Sequence, residues 1–181
     1  ISRKKALEIG ESFRSQLGVR RLVEYLSAHG LPVELALRLY RAYGQQAMDA
    51  IGENPYLLTE PAFHAPFEKV DAFALELGLD GADLRRVAAG ILFELRHNLG
   101  NGHTFLPAQK LVEATVTLLG LDGDTVQIAL EQLAAEQRVI LDPLRELTAC
   151  YLPEFYEAEQ YVQQRLHQML RLPPDRPAGL E

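Results

Sequence analysis

Apolar residues recur every three or four positions along most of the chain, and this spacing is typical of amphipathic helices. Residues 3–16 and 19–30 predict two helices separated near Gly18, because glycine commonly ends a helix. The next helix is expected to carry Pro32 in its first turn and to stop at Gly44. The opening pattern therefore predicts helices joined by short glycine turns.

The same pattern continues to residue 100. A short helix over about 45–51 precedes Asn54-Pro55, where the proline excludes Asn54 from the helical region and starts a new turn. The segment FEKVDAFALELGL predicts an amphipathic helix whose apolar face comprises Phe67, Val70, Phe73, Ala74 and Leu77. A longer helix follows and ends at Gly100.

The segment NLGNGHTFLP separates this array from a different pattern. Gly100 stops one helix, Gly102 relaxes the connection, and Pro107 starts the next helix. Two helices then follow, joined by LDGD, in which Asp122 or Asp124 caps the second. The run RVILDPLRELTACYL predicts a β-hairpin that turns at DPLR.

Helix, turn, helix and hairpin is the element order of a winged helix. We therefore predict a mainly α fold: a helical bundle with helix-hairpin-helix-like units, followed by a winged-helix-like unit with one β-hairpin. The predicted boundaries are 1–99 for the helical region and 100–152 for the winged-helix-like region. A long helix is expected over 153–172 and a linker over 173–181.

Charge is unevenly distributed along the chain. The net charge is −7, which argues against indiscriminate binding to nucleic acid or membrane. Residues 1–48 nevertheless hold eight Lys or Arg against four Glu, whereas the remainder holds ten against 21 acids. The basic end is either a functional surface or a random excursion in composition.

Catalytic and metal-binding motifs are absent from the sequence. No lysine follows a glycine, so there is no phosphate-binding loop of the Walker type, and the five histidines are too scattered to suggest a ligand set. Cys150, in a predicted strand, fits a small buried apolar residue better than a nucleophile. Glu157 and Glu159 are interpreted as solvated charges on different helix faces, and His103 has no partner acid nearby. With a single cysteine and no membrane-spanning run, a cytoplasmic location is expected.

Five segments occur in the order seen in one known family. They are AYGQQAMDAIGENPYLLTE, FEKVDAFALELGL, RRVAAGILFEL, GHTFLP and YLPEFYEAEQYVQQRL. In these segments the chain resembles the N-terminal region of the RecD-like ATP-dependent DNA helicases of superfamily 1. The resemblance implies a parent enzyme that unwinds DNA in the 5′ to 3′ direction with ATP and magnesium. It also implies that the motor lies beyond residue 181. Because the sequence contains no Walker-type loop, this fragment is expected to hold no cofactor, and because it begins with Ile1 and not with methionine, it is expected to be a piece of a longer protein.

Helix-hairpin-helix turns of this family hold phosphate oxygens with backbone N–H groups at a glycine turn. The candidate DNA-binding residues, for single-stranded DNA or a tailed duplex, are Lys4, Lys5, Gly30, Leu31, Arg38 and Arg41. Pro32 removes one N–H donor from this turn, and Pro66 stands before Phe67 where the family usually carries glycine.

Two other functions are compatible with the sequence. The chain could brace its own motor domains, or it could be a protein-docking adaptor that never contacts DNA. For the acidic winged-helix-like part, protein packing is favoured over DNA contact. A standalone enzyme would rest on His103 alone.

Overall fold

The computed structural model describes residues 2–171, which form a mainly helical fold with a small antiparallel sheet, as predicted. The predicted linker over 173–181 lies outside the described residues. The helices are α1 (Arg3–Ala28), α2 (Leu35–Tyr43), α3 (Ala47–Glu53), α4 (Phe67–Glu76), α5 (Leu84–Leu99), α6 (Ala108–Leu119), α7 (Gly123–Ala135) and α8 (Pro153–Arg171). The strands are β1 (Leu106–Pro107), β2 (Ile140–Leu144) and β3 (Leu147–Tyr151), and two 3-10 helices span Gly44–Gln46 and Pro55–Thr59.

Helix α1 runs without interruption through Gly18, so the predicted break there is wrong. A Cβ atom at Gly18 would overlap the ring of Tyr40 on α2. The glycine therefore permits close approach of the two helices and does not end one. Since glycine can serve either purpose, the sequence alone left this choice to the tertiary structure.

The turn after α1 is a Schellman cap. Gly30 adopts a φ of +66° and donates its N–H to Ser27 O at 3.2 Å, while Leu31 donates to Leu26 O at 2.9 Å. Leu26 and Leu31 are both buried, which adds the apolar contact usual for this cap. Pro32 lies in a turn before α2 and not in its first helical turn as predicted, because the chain must reverse after the cap before a new helix begins.

Helix α4 ends in the same way. Gly78 has a φ of +87° and donates to Leu75 O, and Leu79 donates to Ala74 O. Leu77 therefore falls at the end of the helix and is 40% exposed, so its expected place on the buried face is wrong. The other four residues of that predicted face, Phe67, Val70, Phe73 and Ala74, are buried.

The two glycine-ended helices contact each other. Tyr25 and Phe73 each lie five residues before the glycine of their turn, and their ring centroids are 6.0 Å apart with the planes nearly perpendicular. The pairs α1–α2 and α4–α5 thus begin with helices that end in similar glycine caps, and these two helices meet at this aromatic contact. Between them, Asn54 is extended and its side chain accepts the N–H of Tyr56 at 3.2 Å, which confirms the predicted turn.

The residues after Gly100 form the sheet and two helices. Asp122, and not Asp124, caps α7 by accepting the N–H of Thr125 at 2.8 Å. The strand order is β1-β3-β2, and β1 was not predicted because it has two residues, one of them proline. The hairpin turns at Arg145 and Glu146 and not at DPLR. Pro143 instead lies in β2 at the edge of the sheet, where a missing N–H is tolerated.

One cluster of buried apolar side chains extends from Leu22 in α1 to Leu152 before α8. Helix α5 packs against both α6 and α7, and Gly90 lies against Leu119 at the α5–α6 crossing. The predicted boundary at 99–100 therefore separates segments that share a core. No helix among residues 2–171 is long and apolar enough to cross a membrane.

Candidate nucleic-acid interface

The structure does not bring the six candidate DNA-binding residues together at one site. Lys4 and Lys5 are exposed in the first turns of α1, and Arg38 and Arg41 are exposed on α2. Gly18 contacts α2 near its end. Since Lys5 precedes Gly18 by 13 residues and a helix rises about 1.5 Å per residue, Lys5 lies roughly 20 Å along α1 from this contact. Two separate basic patches result.

The amide groups of the first glycine turn are already used. Both Gly30 and Leu31 donate their N–H groups to carbonyls of α1, and the side chain of Leu31 is 3% exposed. Glu34 also places a carboxylate at the start of α2. In this geometry a phosphate would have to be held by side-chain charge, since Gly30 and Leu31 offer it no amide donor.

The turn at Gly78 and the segment before Pro66 are no better suited to bind a phosphate. Gly78 opens a turn that carries Asp80 and Asp83, whose negative charges repel a phosphate. His64 takes a φ of +56° just before the proline that departs from the family pattern, and Pro66 has no N–H to offer.

The two arginines of α2 differ in their surroundings. Arg38 donates from Nη1 to the carbonyl of Ala62 at 3.2 Å, which holds it beside the loop before α4. Arg41 is exposed and makes no side-chain hydrogen bond or ion pair within residues 2–171. Of the two guanidinium groups, Arg41 is thus the one fully available to a ligand.

A buried charged cluster, not anticipated from the sequence, connects α4, α5 and the 3-10 helix Pro55–Thr59. The guanidinium of Arg86 binds both carboxylate oxygens of Asp71, at 2.8 and 2.9 Å, and the hydroxyl of Tyr56 donates to the same carboxylate at 2.6 Å. Arg86 is 8% exposed. Because the pair is bidentate and accepts a further hydrogen bond from Tyr56, these interactions offset the free-energy cost of removing the two charges from water.

The cluster perturbs the ionisation of its members. The pKa of the Arg86 guanidinium is raised, mainly by its hydrogen bonds to Asp71. Burial, followed by the hydrogen bond to Asp71, raises the pKa of the Tyr56 phenol. Both residues therefore hold their protons over the whole physiological range.

Three of the five family-like segments meet in this cluster. Tyr56 belongs to the Asn-Pro-Tyr segment, Asp71 to the segment with Phe67, and Arg86 to the arginine-led helix. The signal that could have revealed the cluster was an arginine inside an otherwise apolar helical face, since such a charge needs a partner. In these three segments, the residues of the cluster serve packing inside the protein.

Charged contacts also cross the predicted boundary. Arg86 donates from Nη1 to Leu119 O at 3.3 Å, at the end of α6. Arg138, which follows α7, pairs with Glu60 at 2.7 Å. Both contacts tie the first part of the chain to the second.

The segment around His103 is hydrogen-bonded to the start of α8. Thr104 donates to Glu159, which also accepts the hydroxyl of Tyr151 at 3.1 Å. Glu159 is therefore not the solvated charge that the sequence suggested, because the sheet and the segment before β1 fold onto the start of α8. His103 is exposed, and within residues 2–171 its side chain has no acidic partner.

Cys150 lies in β3 and is buried. Burial raises the pKa of its thiol to about 11, so the thiol stays protonated at neutral pH. Within residues 2–171, no three His, Cys, Asp or Glu side chains are grouped to hold a metal ion.

Comparison with known families agrees with this architecture. Residues 15–105, half of the chain, match the family model described as the ATP-dependent RecD2 DNA helicase HHH domain. The matched range contains the second half of α1, all of α2 to α5, and the charged cluster of Tyr56, Asp71 and Arg86. The chain belongs to this helicase family, as the resemblance of its segments indicated.

Proposed function

We propose that this chain is the non-catalytic N-terminal region of a RecD-like 5′ to 3′ helicase and contacts DNA non-specifically through basic side chains. The observation that carries the proposal is the exposed basic surface of α2, where Arg38 and Arg41 stand one helical turn apart. ATP and magnesium belong to the motor domains of the parent enzyme, since this sequence contains no Gly-Lys-Ser/Thr loop.

The geometry limits the mode of contact. The Gly30 and Leu31 amides serve the α1 cap, so affinity comes from guanidinium and ammonium groups that touch phosphates. Phosphate contacts position a protein on DNA and carry no sequence information. Binding is therefore expected to be weak, salt-dependent and indifferent to sequence, on single-stranded DNA or on a tailed duplex.

Fluorescence anisotropy of a labelled 5′-tailed duplex, titrated at several salt concentrations, tests this proposal. Each phosphate contact on duplex contributes about 0.9 to the slope of log K against log salt. The double variant Arg38→Ala, Arg41→Ala is expected to flatten the slope by up to about two units. The double variant Lys4→Ala, Lys5→Ala is expected to flatten the slope by a similar amount if the bound DNA strand runs along α1 to its first turn.

The matched control is Lys110→Ala, Arg145→Ala, which removes the same charge from the acidic part of the chain and is expected to leave the slope unchanged. Absence of binding at low salt would refute DNA contact by this region. Equal losses in the control and in the α2 variant would show a general effect of charge and not a site.

The second candidate is bracing of the motor domains, and the buried charged cluster favours it. The bidentate Arg86–Asp71 pair and the shared core support a role in which the described chain bears load for the motor as one body. The test is Arg86→Lys in the whole helicase, which keeps the charge but loses the bidentate geometry. Bracing predicts fewer base pairs unwound per ATP hydrolysed, with the DNA affinity unchanged. Unchanged unwinding in a measurably destabilised variant would exclude it.

A further inference from the structure

Helix α1 carries an apolar face that the described chain leaves uncovered. Ile9, Phe13 and Leu17 are 55%, 61% and 41% exposed. At about 100° per residue, their directions fall within about 80° of one another. Leu22 and Leu26, which are buried against the rest of the molecule, point to roughly the opposite side of the helix. Helix α1 thus has two apolar faces, one buried and one exposed.

Helix α8 carries a second apolar face that residues 2–171 leave uncovered. Val162, Leu166 and Met169 are each more than half exposed and continue the line of Phe155. These positions are separated by seven, four and three residues, which is the seam spacing of a coiled coil. An open groove runs beside this seam and is bordered by Thr104. The spacing and the groove indicate that the partner is another amphipathic helix.

The edges of the α1 face are basic. Arg3 and Arg14 lie along one edge of the face and Lys5 along the other, when directions are taken at about 100° per residue. Glu8 and Glu11 point to the opposite side of the helix. An approaching surface therefore meets an apolar strip between positive charges.

The edges of the α8 face are acidic at its start. Glu154 lies on one edge. Glu159 lies on the other, where its carboxylate keeps its charge while it accepts hydrogen bonds from Thr104 and Tyr151 of its own copy, and Arg165 follows further along. In coiled coils, charges that flank the seam select partner and orientation. The bases at the start of α1 thus complement the acids at the start of α8 in a parallel arrangement.

We propose that the exposed face of α1 in one copy of the chain lies along α8 of a second copy, with the reciprocal contact completing a two-fold dimer. The two faces do not cover each other within one copy, since Phe13 and Leu166 are both more than half exposed. A reciprocal exchange of this kind closes after two copies. The chain itself supplies a helix with the apolar seam and the opposite charge that α8 requires.

Sedimentation equilibrium of the 181-residue chain over a wide concentration range tests the proposal. Phe13→Glu and Leu166→Glu are each expected to raise the dissociation constant of the dimer at least about tenfold, because a carboxylate in an apolar seam is left unpaired. Ile128→Glu on α7 is the matched control, since Ile128 is 58% exposed and lies off both faces. Unchanged circular dichroism of each variant shows that the fold is intact.

Mixing the two seam variants distinguishes reciprocal exchange from other dimers. The mixture retains one intact contact, between α1 of the Leu166→Glu chain and α8 of the Phe13→Glu chain. It is therefore expected to contain more dimer than either variant alone. Pairing of α8 with itself predicts instead that Phe13→Glu leaves the dimer intact, and this result would overturn the proposal.

A chain that is monomeric at all concentrations would also overturn it. Protection of α8 from hydrogen exchange that appears only in the whole helicase would assign the face to the motor domains instead. The DNA proposal fails independently of the dimer, because Arg38→Ala, Arg41→Ala alters neither seam and is expected to leave the dimer unchanged.

Discussion

The two parts of the described chain are stabilised differently. The hairpin region, residues 2–99, encloses the charged pair Arg86–Asp71 inside its apolar core. The sheet region, residues 100–152, buries apolar side chains, and its buried polar residue, Thr115, donates to the carbonyl of Leu111 in its own helix. A charged pair requires particular partners at particular distances, whereas an apolar core tolerates many combinations of similar volume.

The range of the family match coincides with this difference. The matched range, 15–105, covers the hairpin region from the middle of α1 and ends where the sheet begins. Substituting one member of a buried charged pair leaves the other charge without a partner, so both positions require specific residues. The sheet region depends mainly on the pattern of apolar positions, although the family-like segment GHTFLP also lies in it.

Breaking the buried Arg86–Asp71 pair is expected to have the largest effect on the free energy of unfolding. Arg86→Met leaves the Asp71 carboxylate without its cation and should lower the free energy of unfolding by about 3–5 kcal/mol in urea titration. Arg85→Met is the control, since Arg85 pairs with Asp83 near the surface and its loss should cost at most about 1 kcal/mol. Adding Asp71→Asn should recover part of the stability. Equal losses for Arg85 and Arg86 would contradict a special role for the buried pair.

The same substitution shows whether the two regions open together. Cys150 is buried and its pKa is about 11, so at pH 8 roughly one thiol in a thousand is ionised. Labelling by a thiol reagent thus requires opening of the sheet region. If the shared core unfolds as one unit, Arg86→Met raises the labelling rate about 100-fold or more. An unchanged rate in a destabilised variant would show that the regions open separately.

Overpacking at the α5–α6 crossing is expected to have an intermediate effect on stability. A Cβ atom at Gly90 would lie 2.9 Å from Leu119 Cδ1, so Gly90→Ala should destabilise by about 1–3 kcal/mol despite the better helix propensity of alanine. Gly10→Ala on α1 has nothing within 4 Å and should stabilise by roughly 0.5–1 kcal/mol. Thermal unfolding of both variants tests the contrast, and a stabilising Gly90→Ala would contradict the tight α5–α6 crossing.

The smallest effect is expected at the start of α5. Asp83 accepts the N–H of Arg85 at 2.9 Å, and Asp83→Ala should cost about 1 kcal/mol near pH 7. The hydrogen bond from the Arg85 side chain lowers the pKa of Asp83. Its stabilising contribution is therefore complete above the unfolded value of about 3.9 and lost as the pH falls through the lower folded value.

Unfolding of both proteins between about pH 2 and pH 7 measures this contribution as a difference that shrinks in acid. Asp49→Ala, an exposed residue of α3 with no side-chain hydrogen bond among the described residues, serves as the control. A difference that stays constant down to pH 2 would show that the charge of Asp83 is irrelevant.

Sequence by itself determined the helices, most of their ends and the identity of the family. Apolar spacing, the glycine caps at Gly30 and Gly44, and the Asn54 turn depend on groups three to five residues apart, so these features can be read locally. The family-like segments indicated the helicase family, although Tyr56, Asp71 and Arg86 within them serve packing. The candidate DNA-binding residues stay a prediction.

Tertiary structure alone decided the features that join distant residues. Gly18 continues a helix because Tyr40 packs on it, and Glu159 is a bonded group because Thr104 lies beside it. Arg86 pairs with Asp71 across 15 residues of sequence, and Arg138 pairs with Glu60 across 78 residues. A local pattern fixes which way a side chain points along its own helix. What that side chain meets depends on how the helices pack, which no short stretch of sequence specifies.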